Sequence, residues 1–307
     1  MGHTETNSPE EIYFSARDGL RLHACRYPAR TQMRFGRRAV VCLPGLTRNG
    51  RDFHDLAVAL STSPYGPRDV YTFDYRGRGL SEFDPDWRNY AVPIEMLDVL
   101  DFLTVAGLHD AAVIGTSRGG LIALLMAAAQ PASFGALILN DIGPVVERIG
   151  LTRISAYVGR VPLPGSWAEA AKLVRDLNKR AFPAVSDEEW EDVARQLYNE
   201  RKGRPAPGYD PKLSNALSVL DGPMPELWPQ FEAVKRVPLL VIRGENSDIL
   251  SAATVEEMRR RHPYFAAVKV AAQGHAPLLK DAATIAAIRE FLDAVDAGHS
   301  VRELAVA

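Results

Sequence analysis

The sequence predicts an α/β fold, a mostly parallel sheet with helices on both faces. Three observations carry this. Short, continuous apolar runs recur along the 307 residues. Amphipathic stretches with helical spacing separate them. An antiparallel hairpin precedes them. Continuous apolar runs are what strands buried on both faces look like, and their alternation with helices implies a doubly wound sheet.

The elements follow in order. Ile12 to Ala16 and Leu20 to Tyr27 alternate in polarity and are joined by Arg17-Asp18-Gly19, a strong hairpin signal. Buried strands are predicted at Ala39 to Leu43, Val70 to Phe73, Ala112 to Ile114, Ala136 to Leu139 and Leu239 to Ile242, with a weaker last strand at Ala266 to Ala271. The expected sheet is therefore eight-stranded. Met96, Val99, Leu100 and Leu103 mark one face of a helix, with Asp98 and Asp101 off the stripe. Ile288, Phe291, Leu292 and Val295 mark another, with Asp281 as N-cap and Gly298 as the stop. From Ile142 to Arg236 no buried strand is legible. That stretch is helical in tendency, broken by prolines, and holds Trp167, Trp190 and Trp228, three of the four tryptophans. The expected organisation is a core of 1–141 and 237–307 with a helical cap at 142–236.

The composition is 47% hydrophobic and 24% charged with a net charge of −2, ordinary for a globular protein and without the basic footprint of a nucleic-acid or anionic-membrane binder. Arg34, Arg37 and Arg38 flank a loop, and Arg259 to Arg261 suit a helix C-terminus. Cys25 and Cys42 read as small core residues in strands. No metal-ligand spacing is present, and neither metal nor organic cofactor is expected. Met1 to Glu11 has no apolar core of a signal sequence, and its formal myristoylation pattern reads as chance. No apolar run is long enough to span a membrane. These features lead to the expectation of a cytoplasmic enzyme with a small-molecule substrate; they leave the oligomeric state open.

Chemistry concentrates in three places. Gly115-Thr116-Ser117-Arg118-Gly119 fits G-x-S-x-G between a predicted strand and a predicted helix. A serine nucleophile must project from a sharp, strained turn, and glycines two residues either side remove the clash that a Cβ would cause. A hydroxyl also needs a base. Of the seven histidines, His275 alone stands in a loop after the last strand and before the last helix, where an open α/β sheet keeps its site. His3, His23, His54, His109, His262 and His299 read as structural or as tail residues. A carboxylate must orient the imidazole. Asp248, after the strand ending at Ile242, and Asp141, after the strand ending at Leu139, both emerge on the expected catalytic edge. Asp248 is preferred because its distance to His275 fits one helix and one strand; Asp141 is the alternative, with Glu245 a distant third. Leu43-Pro44-Gly45-Leu46 could aim a backbone N–H at the substrate, making Leu46 and Arg118 the oxyanion donors. Loss of one such donor typically costs about 10²–10³ in turnover.

With these motifs in order, the chain resembles the α/β-hydrolase superfamily over nearly its whole length, in the subgroup with a helical cap after the sixth strand. Leu43-Pro44-Gly45-Leu46 corresponds to that family's His-Gly oxyanion turn, with Pro44 replacing histidine. Phe73-Asp74-Tyr75-Arg76-Gly77-Arg78-Gly79-Leu80-Ser81 resembles its D-x-R-G-x-G-x-S loop. The elbow at Ser117, the loop ending at Asp248 and Gly274-His275 follow. Arg118 departs from the more usual Met or Gln, and a serine nucleophile argues against carboxylate-dependent epoxide hydrolases and dehalogenases.

The resemblance implies a serine carboxylesterase acting on small aryl or short-acyl esters, extending to polyesters such as polylactide. Trp167, Trp190, Trp228, Leu163 and Tyr198 are candidate pocket residues. Three alternatives stand beside it. A C–C bond hydrolase of keto-acid ring-fission products would need a cationic subsite, for which Arg48, Arg76 and Arg118 are candidates. A perhydrolase or cofactor-free haloperoxidase would share the triad. A ligand receptor on the same scaffold would show no turnover.

Overall fold

The computed structural model describes residues 9–30, 36–217 and 225–301. His3, Arg34 and most of the N-terminal segment read above lie outside them. The strands are β1 (Glu10–Ser15), β2 (Arg21–Tyr27), β3 (Val40–Leu43), β4 (Val70–Asp74), β5 (Ala112–Thr116), β6 (Ala136–Asn140), β7 (Asn199–Arg201), β8 (Arg204–Ala206), β9 (Leu239–Gly244) and β10 (Phe265–Val270). The helices are α1 (His54–Ser61), α2 (Val92–Val105), α3 (Arg118–Ala129), α4 (Arg148–Tyr157), α5 (Trp167–Asn178), α6 (Asp187–Leu197), α7 (Leu213–Leu217), α8 (Trp228–Ala233), α9 (Ala252–Arg261) and α10 (Ala282–Asp296).

Eight strands form one sheet in the order β1-β2-β4-β3-β5-β6-β9-β10. From β3 to β10 the pairings are parallel, while β2 runs antiparallel to both β1 and β4. All eight predicted strands are present, and Gly19, at φ 89°, closes the opening hairpin. Side chains of one strand divide between two cores. Val41, Leu43, Val113, Leu137, Leu139 and Val241 pack with Phe102, Ile122 and Met258 of α2, α3 and α9. Val40, Cys42, Ile114, Ile138, Leu240 and Ile242 pack with Leu56 and Leu60 of α1 and Phe291 and Leu292 of α10. Both faces of these inner strands are buried, so they read as unbroken apolar runs. Asp281 caps α10 by accepting from the Thr284 N–H, and Gly298 follows its end at φ 68°.

Two expectations change. Asp98, read as lying off the α2 stripe, is fully buried with it and holds Arg76 in a bidentate pair of 2.7 Å contacts. Arg76, itself fully buried, also reaches Asp84 and Asp18. A buried guanidinium is tolerable only with such partners, and helical periodicity cannot foresee a charge recruited from a distant loop. The stretch between β6 and β9 also contains more than helices. β7 and β8 pair around Lys202 and Gly203, which sit at φ 52° and 73° as a tight hairpin turn requires.

The chain passes from β3 outward to β4 and then returns to β5 on the other side of β3. Loops leaving β3 and β5 therefore diverge and leave a crevice at the carboxyl ends of the strands, where open α/β sheets bind ligands.

Candidate active site

Ser117 stands at that crevice. It follows β5 directly and occupies φ 51°, ψ −114°, a conformation that non-glycine residues rarely adopt. The turn exists because its neighbours are small. A Cβ on Gly115 would lie 2.6 Å from the backbone of Gly119, and one on Gly119 would lie 2.2 Å from the Leu43 carbonyl oxygen. Both glycines are required for β3, β5 and α3 to approach one another.

The Ser117 Oγ lies 2.8 Å from His275 Nε2. On its other side, His275 Nδ1 lies 2.8 Å from Asp141 Oδ2. The imidazole thus bridges a hydroxyl and a carboxylate. Asp141 is fully buried and leaves β6 at φ 56°. Its Oδ1 accepts from the Gly244 N–H at 2.8 Å, and its Oδ2 accepts from the Ser247 hydroxyl at 2.6 Å. Asn140 steadies the same edge by donating to Thr116 Oγ1 and to the Pro277 carbonyl, both at 3.0 Å.

Asp248, the carboxylate preferred from sequence, is not the imidazole's partner. Its oxygens accept from Arg153 Nε at 2.6 Å and Nη2 at 2.8 Å, tying the β9 loop to α4. Burial alone would push the Asp248 carboxyl up, but the hydrogen bond and charge of Arg153 outweigh it and hold it below the usual range. The difference has a physical source. β6 and β9 are parallel neighbours, with Asn140 opposite Ile242. Both acids therefore leave the same edge, and spacing cannot tell them apart. What separates them is the loop after Gly244, where the Ser247 N–H bonds back to the Gly244 carbonyl and carries Asp248 away from the imidazole nitrogen. Glu245 instead bonds the Ala272 N–H and reaches Lys269.

Leu46 and Arg118 flank the nucleophile. Leu46 lines the cavity beside Ser117. Arg118 is the first residue of α3; the Gly120 and Leu121 N–H groups both turn to the Ser117 carbonyl, and a helix offers its first N–H groups no internal acceptor. The Arg118 side chain does not enter the cavity. It is held by Glu95 at 2.6 Å and by the Tyr90 carbonyl at 2.8 Å.

A cavity of about 180 Å³ opens over Ser117 and His275. Its walls are mainly apolar, with Leu46, Phe53, Val174, Phe182 and Trp190, and it carries polar groups from Arg48, Asn178, Gln196 and three tyrosines. Of the predicted pocket residues, Trp190 and Tyr198 line it. Trp167, Trp228 and Leu163 do not. Trp167 stacks under Arg195 at 4.6 Å, Trp228 lies under Arg261 at 4.0 Å, and Leu163 is exposed. Sequence reasoning missed Tyr157 and Tyr209, because single aromatics in a helical insert look like its own core. Among the guanidinium candidates only Arg48 lines the cavity, bidentate to Asp52 at 2.6 Å. Arg76 is consumed by three carboxylates.

Comparison with known proteins agrees with this architecture. A model of the alpha/beta hydrolase family matches residues 40–288. A 3-hydroxybutyrate-oligomer hydrolase of Cupriavidus necator is 32% identical over 83% of this chain and 88% of its own length. A 2-(acetamidomethylene)succinate hydrolase of Mesorhizobium japonicum is 26% identical over 81% of this chain and 86% of its own. The crystal structure of an alpha/beta hydrolase from Novosphingobium aromaticivorans superposes with a TM-score of 0.84 at 38% identity, covering 93% of this chain and 98% of that one.

Proposed function

The chain belongs to the alpha/beta hydrolase family, and we propose that within it the protein hydrolyses carboxylic esters through an acyl-enzyme formed on Ser117. The observation that carries this reading is the unbroken line Ser117 Oγ, His275, Asp141, with both contacts at 2.8 Å. His275 takes the hydroxyl proton as Ser117 attacks the ester carbonyl. Asp141 keeps the imidazole in the tautomer that leaves Nε2 free to accept, and it stabilises the imidazolium. The Leu46 and Arg118 N–H groups receive the oxyanion. His275 then protonates the leaving alcohol, and water releases the acid by the reverse path. No step calls on a metal or an organic cofactor.

The substrate we favour is a short oligoester of a small hydroxy acid, of the kind named for the Cupriavidus relative. Mixed walls support it. Such a chain repeats an apolar segment and an ester carbonyl, and the cavity is lined by the apolar Phe182, Trp190 and Leu197 together with the polar Asn178, Tyr198 and Arg48. In this reading 142–236 acts as the cap, since α5 and α6 supply much of the lining. A keto-acid C–C hydrolase needs an uncommitted cation at the reacting end, and Arg76, Arg118 and Arg48 are each paired with carboxylates.

The test is fluorophosphonate labelling mapped to a single residue, followed by turnover of 3-hydroxybutyrate dimers and trimers beside p-nitrophenyl esters of increasing acyl length. Label on Ser117 with turnover of the oligomers is expected. Failure of label and turnover together overturns the hydrolytic reading, and turnover confined to aryl esters removes the oligoester.

A further inference from the structure

One buried charged chain joins the two sides of the nucleophile. Arg78 Nε donates to the Leu46 carbonyl at 2.9 Å. Arg78 Nη1 donates to Glu95 Oε1 at 2.7 Å. The other oxygen, Glu95 Oε2, accepts from Arg118 Nε at 2.6 Å. The side chains of Arg78 and Glu95 are fully buried and that of Arg118 is 13% exposed. The ends of this chain are the two residues assigned above as the oxyanion donors. One comes from the loop after β3 and the other from the first turn of α3, and no backbone ladder links those segments directly.

Stability alone is a weak reason for such an arrangement. Replacing a buried Arg-Glu-Arg cluster by apolar residues is often neutral or stabilising, whereas fixing orientation is what directional, bidentate contacts do well. We propose that Glu95 is a positioning residue, holding Leu46 and Arg118 so that both N–H groups converge on one oxyanion. The inference rests on the ester-hydrolase reading above. It adds a residue that touches neither substrate nor triad. Burial opposes the Glu95 charge, but the facing Arg118 and Arg78 outweigh it and keep the carboxyl below its ordinary range, so both oxygens accept at neutral pH. Arg78 also donates to the Arg76 carbonyl at 2.7 Å, and Arg118 to the Tyr90 carbonyl at 2.8 Å. Each guanidinium is thereby fixed at a second point and cannot swing to follow a misplaced partner.

Position and charge make opposite predictions for Glu95→Gln. The substitution keeps the shape but leaves two cations near the hole. If excess positive charge were what mattered, turnover would hold or rise. If positioning matters, turnover falls, since a displacement of about 1 Å at a reacting centre can cost about 10². The experiment measures kcat and KM on a p-nitrophenyl ester, affinity for an arylboronic acid, which places an oxygen in the hole on binding serine, and thermal midpoint. Expected for Glu95→Gln is a kcat lower by about 10- to 100-fold, KM changed by less than about threefold, and boronate affinity reduced in parallel with kcat.

Arg118→Met cuts the chain at its more exposed end and keeps the backbone N–H. It covers the case in which Glu95→Gln does not fold, and a fall in kcat of about tenfold with weakened boronate binding is expected. Combined, the two should cost less than the product of their separate effects. Unchanged or raised kcat and boronate affinity in the folded variants overturns the proposal. A wild-type protein that neither turns over the ester nor binds boronate overturns the ester reading instead, before any variant is compared.

Discussion

The described residues hold two histidine–aspartate pairs of the same length. His275 Nδ1 meets Asp141 Oδ2 at 2.8 Å, and His23 Nδ1 meets Asp74 Oδ2 at 2.8 Å. Both carboxylates stand at or just past the end of a parallel strand and accept backbone N–H groups, Gly244 for Asp141, and Gly50 and Leu80 for Asp74. The pairs differ at the second imidazole nitrogen. For His275 it meets Ser117 beneath an open cavity. For His23 it is buried without a hydrogen-bond partner among the described residues, and the ring packs 5.0 Å from Tyr13. An imidazole held by a carboxylate is thus a brace that this fold uses twice. On the proposed reading it becomes chemistry only where the second nitrogen reaches a strained hydroxyl with space for a substrate beside it.

The comparison is tested hardest at the serine. Ser117→Ala should lower ester turnover by about six orders of magnitude, because a triad acts as a unit. Steady-state turnover with active-site titration measures it, and residual activity within about a hundredfold of wild type would make the His275 pair a brace like the other. Next comes the carboxylate. Asp141→Asn should cost about 10⁴ in kcat, as a wrong-tautomer substitution does. Asp248→Asn should cost less than about tenfold, through a loosened contact to Arg153 of α4. A reversal of that order would return the acid's role to Asp248.

Much of this was legible in the sequence, for identifiable reasons. The inner strands β3, β4, β5, β6 and β9 announce themselves because they are buried on both faces, and β1 and β2 because they alternate in polarity around a hairpin turn. Ser117 and His275 stand out because the elbow demands Gly115 and Gly119, and because His275 falls in the loop between the last strand and the last helix. Asp141 was visible only as an alternative. Choosing it requires knowing that its other oxygen binds the Gly244 N–H across two neighbouring strands. The pocket was least legible. Trp190 and Trp167 look alike on paper, yet α6 turns one into the cavity while the other shelters beneath Arg195. Glu95 gave no signal, since an acid in the first turn of a helix is ordinary dipole chemistry. Its meaning lies in two arginines from other segments.

The brace makes the smallest and most specific prediction. Burial opposes a charge on His23, but the hydrogen bond and charge of Asp74, together with the neighbouring Cys25, outweigh burial and push the imidazole up to about 9. In the unfolded chain it titrates near the ordinary value of about 6.5. Below that pH both states carry the proton and the pair contributes in full. Between about 6.5 and 9 the unfolded state gives up its proton while the folded state keeps it, so stability falls as pH rises. Above about 9 the contribution is gone. Its size is on the order of 1–3 kcal/mol, a shift of a few degrees in thermal midpoint for a chain of this length. Melting curves from pH 6 to 10 should show this decline in the wild type. His23→Gln should start lower and run flatter across the same window. If its curve stays parallel to the wild type, the charge does not reside on His23, and the second pair stabilises the fold through packing and a neutral hydrogen bond alone.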